Sequence, residues 1–318
     1  AEYFSKDFIN EAFTQPGGWL LDKKYGGVKP RNFEGKWFNV RNNRRVTINE
    51  PGNYIRKIYL FGGSTVYNSE VPDSLTIASQ LASLGANDFL YEVVNMGATS
   101  IHSAQQFGRL KSEIKLKGGD VVIFYDGVNE LGRSFEQHEG TVYPNSYELI
   151  GAPYFEGLNT AISKGLPLGI SLANSNLYYI YKRIQQLLNR NNNAFEVELR
   201  LEATLKRYFD NIKVLSAICS EYKIKCIFTW QPTIFTTSKD SLSQKELKLL
   251  NDTPRGDYKK LTQMVFEDNR AKLFGVINLT DALDTKPKDD QYFYDWCHLN
   301  ADGNKLMVSA FSNLFENE

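Results

Sequence analysis

Cysteine is scarce in this sequence. Only Cys219, Cys226 and Cys297 are present. None sits at a metal-ligand spacing, so nothing points to a zinc-organised fold. An odd count leaves at least one thiol unpaired within the chain. Cys219 falls on a helical pattern and Cys226 opens a strand, so free thiols are expected. Net charge is absent as well: 37 basic residues balance 37 acidic ones, which gives no support for a nucleic-acid partner. Runs of about five or more like charges are missing, which removes the usual signature of an interaction tail. No stretch reaches the roughly 18–20 apolar residues that span a bilayer. No signal peptide is visible, and the chain begins at Ala1 rather than Met. Localisation therefore stays open. The expectation is extracytoplasmic: secreted, periplasmic, or anchored through a segment removed ahead of Ala1.

What is abundant is aromatic: 18 Tyr, 20 Phe and 4 Trp. Most are expected in core packing, where aromatic rings dominate, with some available for a sugar-stacking or acyl groove. A chain of 318 residues suits one large α/β domain with decoration, or two small domains.

Residues 1–55 show little periodicity and carry Gly, Pro, Asn and Arg among scattered aromatics. They are expected to form an irregular N-terminal arm packed on the core, with one short hairpin. Alternation begins at Lys57. Lys57–Phe61, Tyr91–Asn95, Val121–Tyr125, Cys226–Trp230 and Val276–Leu279 are predicted strands. Helices are predicted over 74–85, 103–117, 196–221, 243–273 and 302–316. Short apolar strands alternating with helices argue for a parallel sheet covered on both faces. Residues 131–195, with Pro144, Pro153, Pro167 and an Asn-rich run, break the rhythm. They are expected to be an insertion with a helix near 174–188, forming a lid or a substrate wall. The main domain is thus expected over 56–318.

In open parallel sheets, ligands bind at the carboxyl ends of the strands. Gly62-Gly63-Ser64-Thr65 follows the first strand and can project the Ser64 hydroxyl, with its own N–H, toward an anion. Asn95-Met96-Gly97-Ala98 follows the second, where Gly97 can offer an unhindered N–H. Asp126-Gly127-Val128-Asn129-Glu130 follows the third, and Asn129 can donate its amide. Near the C-terminus comes Asp295-Trp296-Cys297-His298. An Asp three residues ahead of a His can hold Nδ1–H and leave Nε2 free to take a proton. Of the three His, at 102, 138 and 298, only His298 has a close Asp at this spacing on its N-terminal side. Each signal alone is modest, and most such loops are only turns. Their order along the chain carries the weight.

That order resembles the SGNH, or GDSL-like, hydrolase family, over roughly residues 57–130 and 200–316. The resemblance implies a three-layer α/β/α sandwich with a flavodoxin-like, mostly parallel five-stranded sheet. It implies Ser64 as nucleophile, Asp295 and His298 completing a triad, and an oxyanion hole from the N–H groups of Ser64 and Gly97 and the Asn129 amide. The arm also looks like extensions seen in some bacterial members found near surface-glycan genes. Two departures stand out: Gly63 replaces the Asp usual before the nucleophile, and Glu130 replaces an Asp in the third block.

The resulting expectation is a serine-dependent esterase that removes acetyl or short acyl groups, with a small-molecule or glycan ester as its partner. The alternatives are a glycan O-acyltransferase using the same triad, a lipase, and a catalytically silent glycan-binding or assembly module. His102, Asp126, Glu130, Trp230 and Gln231 are candidates for the cleft wall. No metal or organic cofactor is implied. Membrane association is expected only through a segment outside this sequence, and nothing in it sets an oligomeric state.

Overall fold

The computed structural model describes residues 6–13, 18–22, 27–48, 53–84, 91–135, 194–253, 258–284, 286–287 and 290–314. Five strands make the central sheet: β5 (Arg56–Gly62), β6 (Tyr91–Asn95), β7 (Val121–Asp126), β8 (Lys225–Trp230) and β9 (Ile277–Asn278). Their order is β6-β5-β7-β8-β9, and every pairing is parallel. This is the flavodoxin-like order, with no antiparallel member. All six residues of β7 are buried, as expected of a strand sheathed on both faces. Phe61, Phe124 and Phe228 stack across three neighbouring strands, with centroids 5.3 and 5.2 Å apart.

The chain runs from β5 outward to β6 and then returns to the far side of β5 to lay down β7. Right-handed crossovers therefore place the intervening helices on opposite faces. α3 (Ile77–Ser83) follows β5 and packs against the terminal helix Ala301–Ser312. α4 (Ser103–Glu113) follows β6 and packs with α6 (Ala194–Tyr222), which also covers α5 (Val128–Phe135) and β8. The result is helix, sheet, helix in three layers. In α6, Leu201, Leu205, Tyr208, Phe209, Ile212, Leu215 and Cys219 are all buried. Their three-to-four-residue spacing forms the inward stripe that the sequence showed. The predicted helix over 243–273 is three shorter ones, Gln244–Asp252, Tyr258–Glu267 and Asn269–Leu273. Pro254, two residues past the first of them, cannot continue a helix.

Two further expectations need correction. Cys219 and Cys226 are joined as a disulfide, with Cα atoms 6.1 Å apart. Lys223, at φ 53°, turns the chain back between helix and strand, which brings the two residues together. Cys297 is the free, buried cysteine.

The arm is also more regular than its composition suggests. It holds a helix, α1 (Lys6–Phe13), and two antiparallel pairs, β1 (Trp19–Leu21) with β2 (Val28–Pro30) and β3 (Val40–Arg41) with β4 (Arg44–Arg45). Phe8, Ala12, Phe38 and Val40 form a small second core that shares Tyr67 with the main domain. Glu11 ties the arm together by accepting from the backbone N–H of Lys36, Trp37 and Phe38 at 3.1, 2.7 and 2.8 Å. The expected insertion falls almost wholly outside the described residues, and its helix near 174–188 falls entirely outside them. None of the described helices is long and apolar enough to cross a membrane.

Candidate active site

The direction of the chain reverses around β5, so a crevice opens where the carboxyl ends of β5 and β7 diverge. Ser64 opens the short helix α2 (Ser64–Tyr67) directly after β5. Asn129 lies in the first turn of α5, directly after β7. The C-terminal segment 290–298 crosses the same edge, and its backbone conformation is set by a buried ion pair. Glu246 accepts from the N–H groups of Tyr292 and Phe293, at 2.8 and 2.9 Å, while Lys286 neutralises it at 2.8 Å. Both of these side chains are fully buried.

Three side chains meet in a line. His298 Nε2 lies 2.8 Å from Ser64 Oγ, and His298 Nδ1 lies 2.7 Å from Asp295 Oδ2. Asp295 Oδ1 accepts from the N–H of Cys297 and of His298 at 2.9 and 2.8 Å. This is the fold-back that the three-residue spacing anticipates. Burial works against the Asp295 charge, but the His298 hydrogen bond and charge and the two N–H donors outweigh it. The carboxylate is held below its usual range. Burial likewise disfavours the His298 imidazolium, yet Cys297, Glu70 and the Asp295 hydrogen bond together lift the ring well above 6.5. Burial pushes the Cys297 thiol up to about 11, with the His298 charge and hydrogen bond pulling the other way. The thiol sits 3.5 Å from Nδ1, on the opposite edge of the ring from the nitrogen that meets Ser64. With Nδ1 on Asp295 and Nε2 on Ser64, the ring joins the carboxylate to the hydroxyl.

Asn129 comes up against the Ser64 turn. Its Nδ2 donates to Ile101 O at 2.6 Å, which leaves the second amide hydrogen available. The approach explains the Gly63 departure: a Cβ at 63 would lie 2.2 Å from Asn129 Nδ2, so any larger residue would displace the amide. Glu130 has a similar explanation. Its longer side chain reaches both the Ser103 N–H, at 2.8 Å, and the Gly127 N–H, at 3.0 Å, bracing two turns at once.

Gly97 is not placed as expected. Its N–H is donated to Asn95 Oδ1 at 2.9 Å, and a Cβ there would lie 2.3 Å from Tyr67 N. The glycine lets its turn lie flat on the α2 backbone, and its single donor is already used. Three residues on, Ser100 is exposed at the cleft with φ 56°. Its N–H makes no hydrogen bond among the described residues. A serine in a left-handed turn carries no residue-type signal; only the need for a positive φ at a strand-end turn would have marked it.

The other predicted wall residues lie elsewhere. His102 is buried as the N-cap of α4, its N–H donated to Gln105. Asp126 is buried and accepts from Gln106 at 2.7 Å; burial, then Glu130, pushes its carboxyl well above the usual range. Trp230 packs on Gly127 and meets Tyr208 edge-on at 5.5 Å. Gln231 is buried, with its backbone N–H on Asp126 O. Each strand or turn continues inward at these points, so their side chains serve the core. The cleft, about 570 Å³, is walled instead by Ala12, Gly18 and Trp19 of the arm, by Glu70, Thr99 and Ser100, and by Trp296.

Fold and site thus define a doubly wound parallel α/β protein with Ser64, His298 and Asp295 aligned at its switch point. Solved structures similar to the chain include an acetyl xylan esterase, AlAXEase (12% identity, TM-score 0.42, covering 81% of this chain and 98% of that one). Another is a single-residue variant of Axe2, an acetyl xylan esterase from Geobacillus stearothermophilus (11%, 0.43, 82% and 94%). A third is a member of the lipolytic G-D-S-L family from Veillonella parvula (14%, 0.40, 83% and 100%). No protein-family model and no curated protein matches the chain.

Proposed function

We propose that the protein cleaves carboxylic esters through an acyl-enzyme on Ser64. The observation that carries this reading is the unbroken line Ser64 Oγ, His298 Nε2, His298 Nδ1, Asp295 Oδ2, at 2.8 and 2.7 Å. His298 removes the hydroxyl proton as Oγ bonds to the carbonyl carbon. The oxyanion that develops is met by the N–H groups of Ser64 and Ser100 and the free hydrogen of Asn129. These donors are fixed beforehand, so they stabilise charge without reorganising. Collapse breaks the bond to the alcohol oxygen, which leaves with the proton from His298. Water then attacks the acyl carbon, giving its proton to His298, and Ser64 is released as the carboxylic acid departs. Asp295 keeps the ring oriented and stabilises its charged form. The aromatic flanks of the cleft, Trp19 and Trp296, suit a carbohydrate bearing a short acyl group.

Turnover of short-chain esters, with the acyl-enzyme trapped for intact-mass analysis, tests the reading. Ser64→Ala is expected to lose on the order of 10⁴-fold or more in rate, and Asn129→Ala roughly 10²–10³-fold in kcat. A fluorophosphonate should label wild type at Ser64. Full turnover by Ser64→Ala would end the proposal.

A further inference from the structure

Glu70 is the only carboxyl among the described residues that line the cleft, and the proposed reaction does not use it. Its Oε1 lies 3.9 Å from His298 Nε2 and accepts from Ser69 Oγ at 3.0 Å. Its Oε2 is buried and makes no hydrogen bond among the described residues. The residue as a whole is 6% exposed. A buried acceptor without a partner is costly, and the other oxygen of the same carboxyl, Oε1, stands 3.9 Å from the nitrogen that must protonate the leaving alcohol.

The loop carrying Glu70 is rigidly fixed. Arg45, from the arm, donates Nη1 to Asn68 O at 2.9 Å and Nη2 to Val71 O at 2.8 Å. Its Nε pairs with Asp73 at 2.5 Å, both side chains being buried. Inside the loop, Asn68 at φ 54° turns its side-chain oxygen to the N–H of Ile77 at 3.1 Å. The carboxyl is thereby held in place before any substrate arrives, as recognition groups need to be.

Consider an ester seated for cleavage. Its alcohol oxygen must come within hydrogen-bond reach of His298 Nε2. A donor on the next carbon then falls beside Glu70, because the two oxygens of a vicinal diol are about one hydrogen-bond length apart. An ammonium there would face the imidazolium that forms during reaction, and like charges raise that barrier. A carboxylate there would face Glu70 itself. A neutral hydroxyl meets neither penalty.

We infer that Glu70 recognises the alcohol half of the ester, accepting a hydrogen bond from a hydroxyl adjacent to the ester oxygen, so that the preferred substrates are monoesters of vicinal diols. This inference rests on the ester-cleaving reading above and narrows it. Its test is a ratio of kcat/KM for two short-acyl esters, a diol monoester and the same ester with the adjacent hydroxyl deleted. Wild type should favour the first by about 10- to 100-fold, the range of one hydrogen bond to a charged acceptor. Glu70→Leu should bring the ratio close to one, and Glu70→Gln, which keeps an acceptor oxygen, should retain part of it. A wild-type ratio near one overturns the inference without recourse to any variant, as does an unchanged ratio in Glu70→Leu. Preference for an adjacent ammonium overturns the choice of a neutral donor. Turnover of p-nitrophenyl acetate with no diol preference defeats this inference alone; no turnover of any ester defeats the ester-cleaving reading with it.

Discussion

At the scale of single residues, His298 sets how the site responds to pH. To accept the Ser64 proton its ring must be neutral, and its neighbours hold the proton on it well above 6.5. The acid limb of kcat/KM for ester hydrolysis should therefore inflect above 6.5. Replacing Glu70 by Gln removes one of the groups that raise the ring, so the limb should shift to lower pH in that variant. A wild-type inflection at or below the ordinary imidazole value would show that these neighbours do not hold the proton on the ring. The same shift bears on stability in the opposite direction. Since the folded ring binds its proton more tightly than the unfolded one, its contribution is complete below about 6.5 and fades as pH rises through the folded value. The spacing Asp295-x-x-His298 was legible because both residues sit within one turn. Ser100 and Glu70 were not: one owes its place to a backbone angle, the other to a loop shaped by residues far away in sequence. Gly97 misled for a related reason. A glycine at a strand end offers either an open donor or close packing, and only the position of α2 decides which.

At the scale of elements, the arm and the loop 67–73 form one unit through Arg45. Its guanidinium is wholly buried, lies 3.6 Å over the Phe38 ring, and meets Asp73 and three backbone carbonyls. Burial lowers its affinity for the proton, and Asp73 opposes that. Replacing Arg45 by Met should leave Asp73 buried and unpaired, at a cost of about 3–5 kcal/mol, measurable as a lower urea midpoint with unchanged slope. A variant as stable as wild type would show that the loop holds itself. The five strands were readable because runs such as Val121–Tyr125 are apolar throughout and end at glycine. The helix α1 was not read, although Phe8 and Ala12, one turn apart, are both buried. Eight residues among polar and glycine-rich neighbours give too short a period to stand out. The disulfide was missed because helix and strand were treated as separate elements, whereas a tight turn at Lys223 makes them adjacent.

At the scale of the whole molecule, the cleft is built from distant parts of the chain. The arm supplies Trp19, the switch point supplies Ser64 and Asn129, and the last segment supplies His298. A chain beginning at residue 56 would lack Arg45 and Trp19 and uncover Tyr67, which packs against Trp19 at 4.8 Å. Such a chain should melt at lower temperature and lose its ester selectivity, as read by thermal denaturation and by kcat/KM on paired esters. Equal melting and equal selectivity would make the arm a passive extension. The separation of 234 residues between Ser64 and His298 also has a bearing on how the protein is made. During synthesis the serine emerges long before His298, and until His298 follows, the Ser64 hydroxyl has no imidazole beside it. On the proposed reading, a chain that stops short of His298 carries a hydroxyl that nothing activates, with no inhibitor needed to keep it so.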